Sequence, residues 1–212
     1  MDRSVYRLTP RMEQNLRQSL SQYHHLFDGG RCSGWELEEL FVKAIKSDTD
    51  ANHLPKWREA GHDDMEDILI IENGNEYHIQ IKSGKFSGKQ DPKLQLSGHR
   101  LGRYDGDFND EITDYLNNRK ANYITVPYRK LEDDYGRYHI YRLCYIDHYI
   151  LAEIESQNWC KHGKQFRNQN KHGVLFKLVP SMSWQIWWDI PMTCLDMKEE
   201  FTDGRVLNND LN

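Results

Sequence analysis

The 212-residue chain is poor in the features that mark several large protein classes. It holds four cysteines, Cys32, Cys144, Cys160 and Cys194, and no C-x-x-C pair among them. That spacing argues against a disulfide framework and against a zinc ribbon, and fits free thiols in a reducing cytosol. Cys160 and His162 together are too few donors for a metal site. No apolar run approaches the roughly 20 residues a membrane helix needs, mean hydropathy is −0.87, and Met1-Asp-Arg-Ser-Val-Tyr lacks the pattern of a signal peptide. The reading is a soluble, cytoplasmic chain. Also missing are His-x-Glu and His-Glu-x-x-His spacings, a nucleophilic serine elbow, internal repeats and low-complexity tracts, which removes several hydrolase classes.

What is present is concentrated between residues 67 and 82. Asn73-Gly74 is a strong signal for a two-residue type I′ turn, and both flanks are rich in β-branched or aromatic residues. With that loop Glu72 faces Asn75, and counting outward places Asp67 opposite Gln80. The period of two then brings Lys82 to the face of Gln80 and turns Ile79 and Ile81 into a core. A loop at Gly74-Asn75 would pair Asp67 with Lys82 and still gather the three groups. A carboxylate, an amide oxygen and an ammonium on one face suit a hard divalent cation that keeps several waters, with a lysine to hold a phosphate or assist a water.

Upstream, residues 34–45 read Gly-Trp-Glu-Leu-Glu-Glu-Leu-Phe-Val-Lys-Ala-Ile, with Leu37, Leu40, Phe41, Ala44 and Ile45 at helical spacing. A helix glutamate soon after a glycine, a strand aspartate, and a following strand ending in Gln80-Ile81-Lys82 resemble the PD-(D/E)xK nuclease superfamily, in its glutamine-x-lysine variant. The resemblance covers about residues 30–85. It implies Glu38, Asp67, Gln80 and Lys82 as catalytic residues. It also implies Mg²⁺ held by Asp67, Gln80, the Ile81 backbone carbonyl and Glu38; Glu36 and Glu39 compete with Glu38 for the helix position. No proline precedes Asp67, and Gln80 stands where glutamate is usual. The implied activity is that of a prokaryotic type II restriction endonuclease, hydrolysing double-stranded DNA to a 5′-phosphate and a 3′-hydroxyl as a homodimer. Mrr-like modification-dependent nucleases, junction nucleases and non-catalytic DNA-binding relatives are the alternatives.

The net charge of −5 is unevenly spread. From 82 to 103 the chain carries Lys82, Lys85, Lys89, Lys93, Arg100 and Arg103 against Asp91 alone, and from 156 to 188 it carries Lys161, Lys164, Arg167, Lys171 and Lys177 without an acid. Distribution matters more than the total for phosphate binding. Lys85, Lys89, Arg100 and Arg103 are expected on DNA. So are Lys161, Lys164, Arg167, Asn168, Gln169, Asn170 and Lys171, from a loop over 158–173 whose residue types match the edges of guanine and adenine.

The pattern predicts helices over 10–27, 34–47, 108–119 and, shorter, 147–156. It predicts strands over 122–128, 138–146, 174–179 and 184–190 in addition to the hairpin, and loops over 48–62 and after Lys82. Trp184, Trp187 and Trp188 are expected to pack the last strand and a subunit interface. The fold class is α/β in the broad α+β sense: a restriction-endonuclease-like core with a central mixed sheet flanked by helices, and a C-terminal β-rich DNA-recognition region. We read one domain over 1–212, with the catalytic core at about 30–130 and recognition and dimerisation elements at about 131–200.

Overall fold

Thr9 starts the first helix, α1 (Pro10–Leu26): its hydroxyl accepts from the Met12 amide, and Pro10 occupies the first turn, where a missing N–H is no loss. Met12, Leu16 and Leu20 then fall on one buried face. Helix α2 (Trp35–Lys46) follows Gly34, whose φ of 63° reverses the chain, and buries Leu37, Phe41, Ala44 and Ile45. The structure, a computed structural model, describes residues 5–27, 32–48, 66–72, 74–88, 91–102, 108–134 and 136–202. Asn73 of the expected turn, the stretch 49–65, Lys89, Arg103 and the residues after Thr202 lie outside the described residues.

Strands β1 (Ile68–Glu72) and β2 (Asn75–Lys82) pair antiparallel in the expected register, with Glu72 opposite Asn75 and Ile68 opposite Ile79. The chain then makes β3 (Lys85–Ser87), β4 (Lys93–Arg100) and helix α3 (Asn109–Asn117) before β5 (Asn122–Thr125) joins β2 in parallel. A parallel partner requires such a crossover. Strands β6 (Tyr128–Asp133), β7 (Gly136–Ile146), β8 (Cys160–His162), β9 (Gln165–Gln169), β10 (Leu175–Val179), β11 (Gln185–Pro191) and β12 (Asp196–Thr202) complete one mixed sheet. Its order is β1-β2-β5-β7-β6-β3-β4-β11-β10-β9-β8, with β12 also on β7. The protein is thus mixed α and β, and strands from before and after residue 130 interleave: β7 pairs with β5, and β11 with β4.

Two hydrophobic cores lie on the sheet. In the first, α1 and α2 cover Ile68, Ile70, Ile79, Ile81, Ile124 and Tyr145. In the second, Ile112 and Leu116 of α3 pack with Leu94, Leu96, Tyr123, Phe176 and Trp188. Neighbouring residues of β5 face opposite cores, Ile124 the first and Tyr123 the second, which buries this short strand on both sides.

Several expectations are corrected. The helix expected over 147–156 is two 3-10 turns, His148–Leu151 and Ser156–Asn158. The carbonyls of Ile150, Ala152 and Glu155 accept from the side chains of Asn170 and Asn168. The loop expected over 158–173 is mostly the β8–β9 hairpin. The basic segment after Lys82 contains β3, and the charged stretches of β6 and β12 are strands without an alternating apolar pattern.

Between β4 and β11 the register slips: Ser97 faces Trp187 and Arg100 faces Gln185, so Gly98 and His99 together oppose Ile186. This is a β-bulge, which bends a strand and re-aims its side chains. It depends on Gly98, because a Cβ there would lie 2.5 Å from Cη2 of the buried Trp188. Gly98→Ala is therefore expected to lower stability by about 1–3 kcal/mol through overpacking, read as a fall in urea midpoint at unchanged slope.

Candidate active site

Strand β1 stops at Ile68, but the pairing does not. The Asp67 amide donates to the Ile79 carbonyl at 2.9 Å, and its carboxylate Oδ2 then accepts from the Ile81 amide at 2.7 Å. A side chain replaces backbone in the ladder. The same Oδ2 accepts from Lys82 Nζ at 3.2 Å, and Oδ1 accepts from Gln80 Nε2 at 3.3 Å. Asp67, Gln80 and Lys82 thus meet on one face, as the hairpin register required.

Gln80 is 1% exposed, and its Oε1 has no hydrogen-bond partner. An orphaned buried amide oxygen is costly. A half-turn of the amide exchanges its two ends and offers that oxygen beside the Asp67 carboxylate instead. Glu38, in the first turns of α2, is near enough for the charges of Asp67 and Lys82 to act on it. Burial is the main cause of a carboxyl pKa above its ordinary value, the neighbouring Asp67 charge adds to the rise, and Lys82 opposes it. Of the three candidate helix acids, Glu38 is the one that faces this centre: Glu36 acts on Cys32 and Tyr23, and Glu39 is exposed.

These donors fit a hard divalent cation that retains water, since carboxylate and amide oxygens are its preferred ligands. Among the described residues no three His, Cys, Asp or Glu side chains are grouped to hold a metal ion by themselves. A cation here would need the Gln80 oxygen and water to complete its shell. For Ile81, the contact at the site is its amide, given to Asp67.

Sequence reading missed the wall behind this centre. Tyr123 is the register partner of Gln80, and the guanidinium of Arg119 lies 5.9 Å from the centre of its ring. Arg119 also contacts His99 at 2.6 Å, which the bulge turns toward α3. No local pattern announces this group, because three separate elements bring it together.

The expected DNA contacts divide. Lys85 and Arg100 are exposed on β3 and β4, and Lys161 and Lys164 are exposed on the β8–β9 hairpin. Arg167 is half-buried in a row that crosses the sheet from Ser97 through Trp187 and Lys177. The two basic segments therefore sit on connected strands. Being acid-poor along the chain does not make them acid-free in space: Lys177 pairs with Asp189, and Lys171 with Glu153 at 2.8 Å. Gln169 and Lys171 border a cleft of about 430 Å³ that Glu153 and Glu155 also line, which disfavours phosphate.

Asn168 and Asn170 are removed as base readers. Both are buried; Asn168 donates to the Glu155 carbonyl, and Asn170 donates to two carbonyls while accepting from the amides of His172 and Val174. Trp188 is fully buried against Tyr123, while Trp184 stacks on Phe166.

Asn170→Ala is expected to cost about 2–4 kcal/mol, as loss of a buried hydrogen-bonding hub, whereas Lys164→Ala stays within about 0.5 kcal/mol of wild type. Urea denaturation of the two variants checks the contrast. For Glu38 the folded pKa exceeds the unfolded one, so the folded state holds the proton more tightly and stability falls as pH rises between the two. Glu38→Gln should then stabilise the metal-free protein at neutral pH, with the gain gone below the ordinary carboxylate range. Denaturation across a pH series gives the answer, and a gain that persists in acid contradicts it.

In comparisons with known proteins, no family model, no curated sequence and no solved structure matches the chain.

Proposed function

We propose that the chain is a Mg²⁺-dependent endonuclease with a restriction-endonuclease-like core of the PD-(D/E)xK type, hydrolysing phosphodiester bonds of double-stranded DNA at specific sequences. The observation that carries this is the convergence of Asp67, Gln80 and Lys82 on one sheet face with Glu38 beside them, around an amide oxygen left without a partner.

Asp67, Glu38 and the Gln80 oxygen would hold the cation. When bound, it supplies Lewis-acid polarisation of a phosphoryl oxygen and lowers the pKa of bound water. Asp67 is positioned in advance, because its carboxylate is tied to the Ile81 amide and cannot swing away without breaking the ladder. Lys82 lies 3.2 Å from Asp67, largely shielded from solvent. In that position its ammonium can hold a phosphate oxygen as negative charge develops, or exchange a proton with the attacking water. The amide at position 80 is neutral, so the cation leans on Asp67 and Glu38 for charge.

The exposed Lys85, Arg100, Lys161 and Lys164 supply charge along the duplex, with Arg167 in the row beside Trp187. A homodimer would match two such centres to the two strands of a palindromic site. Among the described residues no helix is long and apolar enough to cross a membrane.

Plasmid DNA incubated with Mg²⁺ should yield discrete fragments with wild type. Asp67→Ala should abolish cleavage, and Lys82→Ala should slow it by about 10²–10³-fold. Absence of cleavage by wild type across several divalent metals sinks the enzyme reading, and equal cleavage by both variants sinks the site. Gln80→Glu places a second carboxylate beside Asp67. Without divalent metal its melting temperature should drop below wild type, and Mg²⁺ should raise it by more than it raises wild type.

A further inference from the structure

Arg119 follows the last turn of α3, with its amide on the Leu116 carbonyl, and its side chain runs inward until the residue is only 6% exposed. Its NH2 contacts His99 Nε2 at 2.6 Å, and its guanidinium stands 5.7 Å from the Tyr115 ring centre and 5.9 Å from that of Tyr123. Guanidinium can only donate, so His99 accepts through a neutral nitrogen. Burial first, then the charges of Arg119 and Lys82, push the His99 pKa down to about 3, so the imidazole stays neutral at every working pH. Arg119 Nε is buried without a partner, and among the described residues no carboxylate pairs with this guanidinium.

A buried cation facing a neutral acceptor and two aromatic rings is expensive unless an anion completes it. The rings and the imidazole fix the orientation of the fork, and a guanidinium fork matches the oxygens of a phosphate. The position is specific as well. Tyr123, over which Arg119 lies, is the register partner of Gln80 on the parallel strand, so the guanidinium backs the same sheet face that carries Asp67 and Lys82.

We propose that Arg119, held by His99 and the rings of Tyr115 and Tyr123, is an oxyanion subsite that takes one phosphate group of the substrate beside the Asp67–Lys82 centre. That the phosphate belongs to a nucleic-acid backbone rests on the nuclease reading; the oxyanion chemistry does not. His99 is a positioning residue, keeping the fork in place without touching the ligand.

Thermal melts in sodium phosphate and in sodium chloride of matched ionic strength test the subsite. Wild type should gain about 2–4 °C in phosphate, the shift that roughly 1 kcal/mol of binding gives a chain of this size. Arg119→Met should gain nothing, and Lys43→Met, at an exposed position of α2, should respond like wild type. If Arg119→Met fails to fold cooperatively, Arg119→Lys keeps a cation in the space without the fork, and the gain should fall by about half or more. No phosphate-specific gain in wild type, or one that Arg119 variants leave intact, overturns the proposal whatever a cleavage assay gives.

The second arm identifies the source of the phosphate by titrating a short labelled duplex, in Ca²⁺, over a range of salt. Losing one backbone contact should flatten the slope of log affinity against log salt by about 0.9. A flattened slope in the Arg119 variant supports a DNA phosphate, and a phosphate gain with an unaltered slope supports the subsite but assigns it to a free phosphate ligand. An Arg119-dependent phosphate gain in a protein that cleaves no DNA sinks the nuclease reading and leaves the subsite standing.

Discussion

The carboxylate of Asp67 is where the sheet and the candidate site become one object. The last backbone group that this edge is seen to give β2 is the Asp67 amide, donated to the Ile79 carbonyl, and the Ile81 amide is then met by the Asp67 carboxylate Oδ2 instead of a backbone carbonyl. That bond fixes the carboxylate against β2, and the same oxygen then holds Lys82. Opening β1 from β2 at this end, where a site needs room, is thus compatible with a satisfied ladder. The hydrophobic layer beneath acts in the same direction: Ile79 and Ile81, buried against α1 and α2, prevent β2 from rotating its polar face away. A one-residue slip would exchange those isoleucines for Gln80 and Lys82 in the core.

The opposite side of the centre depends on a different local irregularity. In a regular β4, His99 would share the face of Ser97 and Gln95, in the polar row that crosses to Trp187. The bulge at Gly98 and His99 reverses that parity, and His99 meets Arg119 on the α3 side. Glycine is required there because Trp188 fills the space a side chain would occupy. Trp188 in turn packs edge-on to Tyr123, the ring beneath Arg119. Packing of the second core and placement of the guanidinium are therefore parts of one arrangement, in which the position of one large ring sets both.

The elements legible in the sequence are those whose signals are local. The α1 face of Met12, Leu16 and Leu20, the α2 stripe, and the hairpin register all follow from periodicity and turn chemistry over a few residues. What escaped detection is non-local. Strands β6 and β12 are charged because they lie against β7 with little burial, so alternation never develops in them. Asn168 and Asn170 carry the residue types of a base reader. They instead satisfy carbonyls of a segment about 13 to 20 residues earlier, which is also why that segment is not a helix. Arg119 reads as an ordinary helix-terminal cation until the bulge and the crossover place it behind Gln80.

The charges at the centre bear on why an amide rather than a carboxylate stands at position 80. Around Gln80 the structure gathers two carboxylates, Asp67 and Glu38, and two cations, Lys82 and Arg119. Glu38 already has a raised pKa from burial and from Asp67. A third carboxylate at position 80, 1% exposed, would have to ionise in the same confined space and would raise those of its neighbours further. A neutral amide avoids that repulsion while keeping a hard oxygen available. On the proposed reading a divalent cation would add two charges to this balanced set of two carboxylates and two cations, which would leave the filled site net positive. That excess would be complementary to a phosphodiester, whose single negative charge offsets part of it, so that cation and substrate would favour each other's binding.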